Sequence, residues 1–174
     1  MKNHFELFGI APAFALDFVH LDRAYRDIQA NIHPDRFAHA SDAERRASMQ
    51  WTTRVNEAYR TLKSPVQRAS YLLRMKGVDV GFETNTAMPP EFLIEQMELR
   101  EKLEATRDAI ALGLIEQDLS TRKRAIEAQI AECIDNGHDY QSASEFVRKL
   151  MFLEKFGDDI ATARDLIEMR TPEA

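Results

Sequence analysis

Cysteine, glycine and proline are all scarce in this 174-residue chain, and each shortage removes a class of answers. The single cysteine, Cys133, cannot form an intrachain disulfide and fits a reducing compartment. Six glycines and six prolines leave little room for extended disorder. No apolar run approaches the roughly 20 residues that span a bilayer, and the first residues lack the pattern of a signal peptide. A cytoplasmic protein with no membrane partner is expected. Runs of β-branched residues are few as well. What is plentiful is apolar residues at three- and four-residue spacing, the helical period, so the expected class is all-α. The length suffices for a real core, in one domain or two small ones.

The net charge of −6 conceals an asymmetry. Residues 1–76 carry 12 Lys/Arg against 8 Asp/Glu, while residues 77–174 carry 11 against 21. Opposite polarity in the two halves points to two modules with different partners. Nucleic acid is not one of them, because the basic half has no dense Lys/Arg stripe and the acidic half would be repelled.

Phe5, Leu7 and Phe8 form a short apolar cluster closed by Gly9 and Pro12, a lid for the core. Asp17 is the expected N-cap of a helix over about 18–32, whose buried stripe is Phe18, Leu21, Tyr25, Ile28 and Ile32. Its polar side shows Asp22, Arg23, Arg26, Asp27 and Gln29, with Arg23 and Arg26 on one face. Ser41 to Glu44 reads as a capping box opening a helix to about Lys63, with Ala47, Trp51, Val55, Ala58, Tyr59 and Leu62 inward. The two stripes match, so an antiparallel hairpin buries both. Ser64-Pro65 starts another helix that Gly77 stops.

Between the hairpin helices stands Asn31-Ile32-His33-Pro34-Asp35-Arg36-Phe37. Proline pushes the residue before it out of the helical region, Asp35 can bond local amides, and the His33 imidazole titrates near neutrality. The tripeptide alone reads as an ordinary turn. A metal or acid–base site built from His33, Asp35 and His39 is the enzyme alternative, but it lacks a third or fourth ligand at convincing spacing. With Tyr25-Arg26 before it and Asn56-Glu57-Ala58-Tyr59-Arg60-Thr61-Leu62 after it, the region resembles a J-domain. The resemblance implies binding to an Hsp70-type chaperone in its ATP state and stimulation of ATP hydrolysis. It assigns the contact to His33, Pro34 and Asp35, supported by Tyr25, Arg23 and Arg26. Asp22 and Asp27 interrupt the positive face, and Ile32 stands where many J-domains carry an aromatic residue.

Residues 77–90 lose helical periodicity and read as a linker. Pro89-Pro90 opens a helix expected to reach about Leu112, with Phe92, Gln96, Leu99, Leu103 and Ile110 on its core stripe. Leu93, Ile94 and Met97 lie roughly 100° or more around the helix, bordered by Glu98 and Glu101. On pattern alone that second face is either a docking surface or the seat of another helix. Gly113 and Asp118/Ser120 are taken as a break. A second helix follows with Leu119, Ile126, Ile130, Cys133 and Ile134 inward, closed by Asn136-Gly137. A third runs from Gln141 to Met169 with a kink expected at Gly157; Phe152 points off its stripe. These three make an antiparallel bundle.

Phe92-Leu93-Ile94-Glu95-Gln96-Met97-Glu98-Leu99-Arg100-Glu101, Arg148-Lys149-Leu150-Met151-Phe152-Leu153, Arg68-Ala69 and Tyr71-Leu72-Leu73 narrow the resemblance. With the J-domain they make the chain similar to the HscB family, co-chaperones of iron–sulfur cluster assembly. The resemblance implies a J-domain over 1–76, a linker over 77–90 and a three-helix scaffold-binding domain over 91–174. It implies an IscU-like scaffold protein held by Leu93, Ile94, Met97, Glu98, Glu101 and Phe152. The scaffold would be delivered to an HscA-like Hsp70 without catalysis, cofactor or metal of the chain's own. Ala105 departs from the family near where another acidic residue can stand. A J-domain protein serving another client remains the alternative.

Overall fold

A computed structural model describes residues 2–32, 41–81 and 88–170. Among them the chain is helical with no strand: α1 (His4–Leu7), α2 (Phe18–Ile32), α3 (Asp42–Lys63), α4 (Pro65–Met75), α5 (Pro90–Ala105), α6 (Ala109–Ala131), a π-helical turn (Glu132–Gly137) and α7 (Tyr140–Arg170). Local chemistry sets the starts. The Asp17 carboxylate accepts from the Val19 and His20 amides at 2.9 and 3.1 Å. Ser41 and Glu44 form the expected reciprocal capping box. Ser64 caps α4, with Pro65 in its first turn where no amide is required.

Helices α2 and α3 are antiparallel, because Asp22 meets Tyr59 and Lys63 while Ile32 meets Ser48 and Thr52. In the C-terminal half, Glu95 pairs with Arg122, Glu116 with Arg164, and Arg100 with Asp159. α6 therefore runs against both α5 and α7, giving the expected three-helix bundle. The bundle's own core is Leu99, Leu103, Leu112, Leu119, Leu153, Phe156 and Ile160. A larger core joins Phe5, Leu21, Val55, Leu62, Leu72 and Leu73 to Ile130, Ile134, Val147 and Leu150. That core crosses from one half of the chain to the other through α4 and α7.

Several details differ from the sequence expectation. α5 ends at Ala105, and Asp108 caps α6 by accepting from the Ala111 amide at 2.9 Å. Gly113 thus lies inside α6, where one glycine costs a helix only about 1 kcal/mol. Ile110, shifted onto this new helix, is 82% exposed instead of buried. Ala47 and Trp51 face outward on α3 while Ser48 turns inward to bond the Ile32 carbonyl. Arg54 sits over the exposed Trp51 indole, 5.5 Å from its centroid. α7 continues through Gly157 without the expected kink, and the neighbouring Phe156 is fully buried. The expected linker is partly built in: Val80 is buried, its carbonyl accepts from Arg148 at 3.1 Å, and Gly77 adopts φ 77° to close α4.

A third tie between the halves is polar. The two carboxylate oxygens of Asp135, in the π-helical turn, accept from the Phe14 and Ala15 amides at 2.7 and 2.9 Å. Buried Arg68 of α4 donates to the carbonyls of Phe14 and Leu62 at 2.8 and 2.6 Å and lies against the Phe14 ring.

Phe156→Ala is expected to lower unfolding free energy by about 3–5 kcal/mol, as loss of a fully buried ring does. Ile110→Ala is expected to stay within about 0.5 kcal/mol. Urea unfolding followed by circular dichroism measures both, and equal losses would put Ile110 back in the core.

Candidate functional site

His33, Pro34 and Asp35 lie outside the described residues, as does His39 of the metal alternative. The helices that flank them are described in detail. The end of α2 is held to α3, since the Ile32 carbonyl accepts from Ser48 Oγ at 2.9 Å. Tyr25 is half-buried: it stacks on Tyr59 with ring centroids 4.0 Å apart, and its hydroxyl donates to Asn56 Oδ1 at 2.9 Å. Its position is that of a brace between α2 and α3. Arg23 and Arg26 are exposed on the outer side of α2, as their three-residue spacing requires.

Asp22 does not simply interrupt that positive face. Its carboxylate accepts from Lys63 Nζ and from the Tyr59 hydroxyl, both at 3.0 Å. Hydrogen bonding by Lys63, then Tyr59, holds the carboxyl below its ordinary range, and the Asp22 bond correspondingly raises Lys63. The pair leaves little local net charge beside the two arginines. Sequence periodicity marked Asp22 as surface and gave no sign that Lys63, 41 residues away, would reach it.

On the bundle, α5 divides as its pattern predicts. Phe92, Gln96, Leu99 and Leu103 are buried, while Leu93, Ile94 and Met97 are 42, 57 and 61% exposed. Glu98 and Glu101 are exposed beside them. Phe152 of α7 is half-buried and meets Phe92 edge-on, with centroids 6.1 Å apart. Phe92 was read only as a core residue, yet it joins Phe152 to α5, while Lys149 stands over its ring at 5.9 Å. Leu93, Met97 and Arg100 share one side of α5, and Arg100 at its edge pairs with Asp159 of α7 at 3.8 Å. The result is an apolar ridge with a methionine at its crest and carboxylates along its border. It can receive an apolar surface from another protein.

Cys133 packs against the larger core, and burial pushes its thiol up, which disfavours the thiolate needed for nucleophilic or ligand chemistry. Among the described residues no group of three or more His, Cys, Asp or Glu could hold a metal, and no helix is long and apolar enough to cross a membrane.

The helical hairpin α2–α3 joined to the bundle α5–α7 is the architecture expected of a J-domain followed by a C-terminal helical domain. The family model described as "HSCB C-terminal oligomerisation domain" matches residues 88–161. The co-chaperone protein HscB homolog of Burkholderia vietnamiensis is 48% identical over 169 residues, covering 95% of this chain and 96% of that one. The solved chaperone HscB from Vibrio cholerae superposes with a TM-score of 0.85 at 35% identity, over 95% of this chain and 99% of that one. Human co-chaperone HscB gives 0.89 at 28% identity, over 94% and 82% of the respective chains. The chain belongs to the HscB co-chaperone family.

The Asp22–Lys63 pair predicts a pH effect. A carboxyl depressed in the folded state adds stability above its unfolded pKa of about 3.9, and that stability is lost as pH falls through the lower folded value. Asp22→Asn is therefore expected to be less stable than wild type near neutrality, the gap closing in acid and shrinking in high salt. Urea titrations across that range measure the gap; a constant difference would refute the linkage.

Proposed function

We propose that this protein is an adaptor between an IscU-like iron–sulfur scaffold and an HscA-like Hsp70 in the cytoplasm, performing no chemistry itself and assisting maturation of iron–sulfur proteins. The observation that carries the reading is the α5 ridge: Leu93, Ile94 and Met97 stay exposed although the opposite side of the same helix is buried. Membership of the HscB family supports the identity of both partners. In this reading residues 1–76 act as the J-domain, 77–90 as the connection and 91–174 as the scaffold-binding unit.

The ridge would bind the scaffold through desolvation of Leu93, Ile94, Met97 and the exposed part of Phe152. Met97 can adapt its shape to the partner. Glu98 and Glu101 at the border would favour a basic edge and set orientation and encounter rate more than affinity. On the other half, His33, Pro34 and Asp35 would contact the ATP-bound chaperone, while Arg23 and Arg26 attract its acidic surface. Tyr25 would serve indirectly by holding α2 on α3. Joining the two grips raises the local concentration of scaffold at the chaperone, so hydrolysis closes the machine on the right client.

Asp35→Asn is expected to abolish ATPase stimulation of the cognate Hsp70 while leaving helicity and scaffold binding intact. Steady-state ATPase assays decide this, and full stimulation by the variant would reject the assigned contact. Leu93→Ala combined with Met97→Ala is expected to weaken scaffold binding about tenfold or more, each truncation removing on the order of 1 kcal/mol. Its melting temperature is expected to change little. Calorimetric titration with an IscU-type scaffold and with an unrelated client tests the partner; equal binding of both would favour another client.

A further inference from the structure

The two proposed grips lie on different halves of the chain, so their usefulness depends on how firmly the halves are fixed. The shared core between α4 and α7 is apolar, and apolar contact is non-directional. Packed helices joined only in this way can slide in small shear steps. Hydrogen bonds are directional, and the described residues include a set placed where direction matters.

The segment between α1 and α2 has no regular backbone partners of its own around Phe14 and Ala15. Asp135 takes both of their amides on its two carboxylate oxygens. From the other side, Arg68 Nε binds the Phe14 carbonyl. Its guanidinium lies 4.6 Å from the Phe14 centroid and 5.3 Å from that of Phe18. Burial lowers the Arg68 pKa, and the charges of Glu127 and then Asp135 act against that. The peptide bond between Phe14 and Ala15 is thus gripped from above and below. Asp135 stands in the π-helical turn that ends α6, where Ile134 stays in the core while the Asp135 carboxylate meets the segment.

Three residues beyond Phe14, Asp17 starts α2, which carries Arg23 and Arg26 and ends at Ile32, next in sequence to His33-Pro34-Asp35. The clamp holds the root of that helix. At about 1.5 Å per residue, α2 is roughly 22 Å long, so a 10° rotation at its root would carry its far end about 4 Å. We propose that Asp135 is a positioning residue: by clamping the Phe14–Ala15 amides to the bundle it fixes the direction of the chaperone-facing hairpin relative to the scaffold-binding ridge, and so couples scaffold binding to ATPase stimulation. The coupling rests on the adaptor reading above; the mechanical part does not.

The experiment uses the full chain carrying Cys133→Ser, with spin labels at Asp27→Cys on α2 and Gln117→Cys on α6, both exposed positions. Asp135→Ala is expected to broaden the interlabel distance distribution by several ångströms. Asp135→Asn, which keeps one acceptor oxygen, is expected to fall between it and wild type. In the unlabelled variants, scaffold affinity and ATPase stimulation by the co-chaperone alone are expected to stay within about twofold of wild type. The additional stimulation that scaffold brings is expected to fall several-fold. Circular dichroism confirms that each variant is folded, and Asp135→Asn carries the comparison if Asp135→Ala is not. Unchanged distances overturn the clamp, and broadened distances with undiminished synergy overturn the coupling. A wild-type chain that shows no scaffold-dependent gain at all overturns the adaptor reading, while the distance measurement still decides the clamp.

Discussion

Helix α4 is packed on both sides, and the arrangement of both halves depends on that. Only 11 residues long, it contributes Val66, Ala69, Leu72 and Leu73 to a core shared with α3 and with α7. Each of those side chains is worth about 1.5–3 kcal/mol of transfer free energy when fully buried, except the smaller alanine. Losing the α4–α7 contact would expose apolar surface on both halves at once. The halves are therefore distinct in charge and in proposed partner, yet they fold against a common interior. Arg68, on the same short helix, adds direction by binding the Phe14 and Leu62 carbonyls from inside.

This packing explains which parts of the fold were legible in the sequence. Periodicity within one helix tells which side is buried, so Leu21, Tyr25, Ile28 and Ile32 of α2 and the division of α5 into Phe92/Leu99/Leu103 and Leu93/Ile94/Met97 were readable; Phe18, expected on the same α2 stripe, is 39% exposed at the helix start. Caps were readable too, because Ser41–Glu44 and Ser64-Pro65 act over three or four residues. The α5 end was not. Thr106, Arg107 and Asp108 interrupt a continuous helical pattern, and a glycine inside α6 was more conspicuous than the aspartate that caps it. Ile110 changed helix as a consequence, and with it changed side.

Contacts between distant residues were invisible for a different reason. Tyr25 looks like a surface-facing recognition residue or a core residue, depending on whether Asn56 and Tyr59 come to meet it. Asp22 looks like a stray negative charge until Lys63 reaches it. Asp135 sits in an Asp-Asn-Gly run that reads as a helix terminus, and no local rule predicts that its carboxylate binds amides 120 residues earlier. The candidate ridge was found because its evidence is local to one helix. The clamp was hidden because its evidence lies in two segments at once.

Trp51 is the chain's single indole, and it sits half-open on α3 with Arg54 across its face. Ultraviolet emission from this protein is consequently a one-sided witness. It reports the basic half, where quenching or spectral shifts would register contact on α3, and it is blind to the ridge some distance away on α5. An observer relying on intrinsic fluorescence would follow events beside α3 and miss those at the α5 ridge.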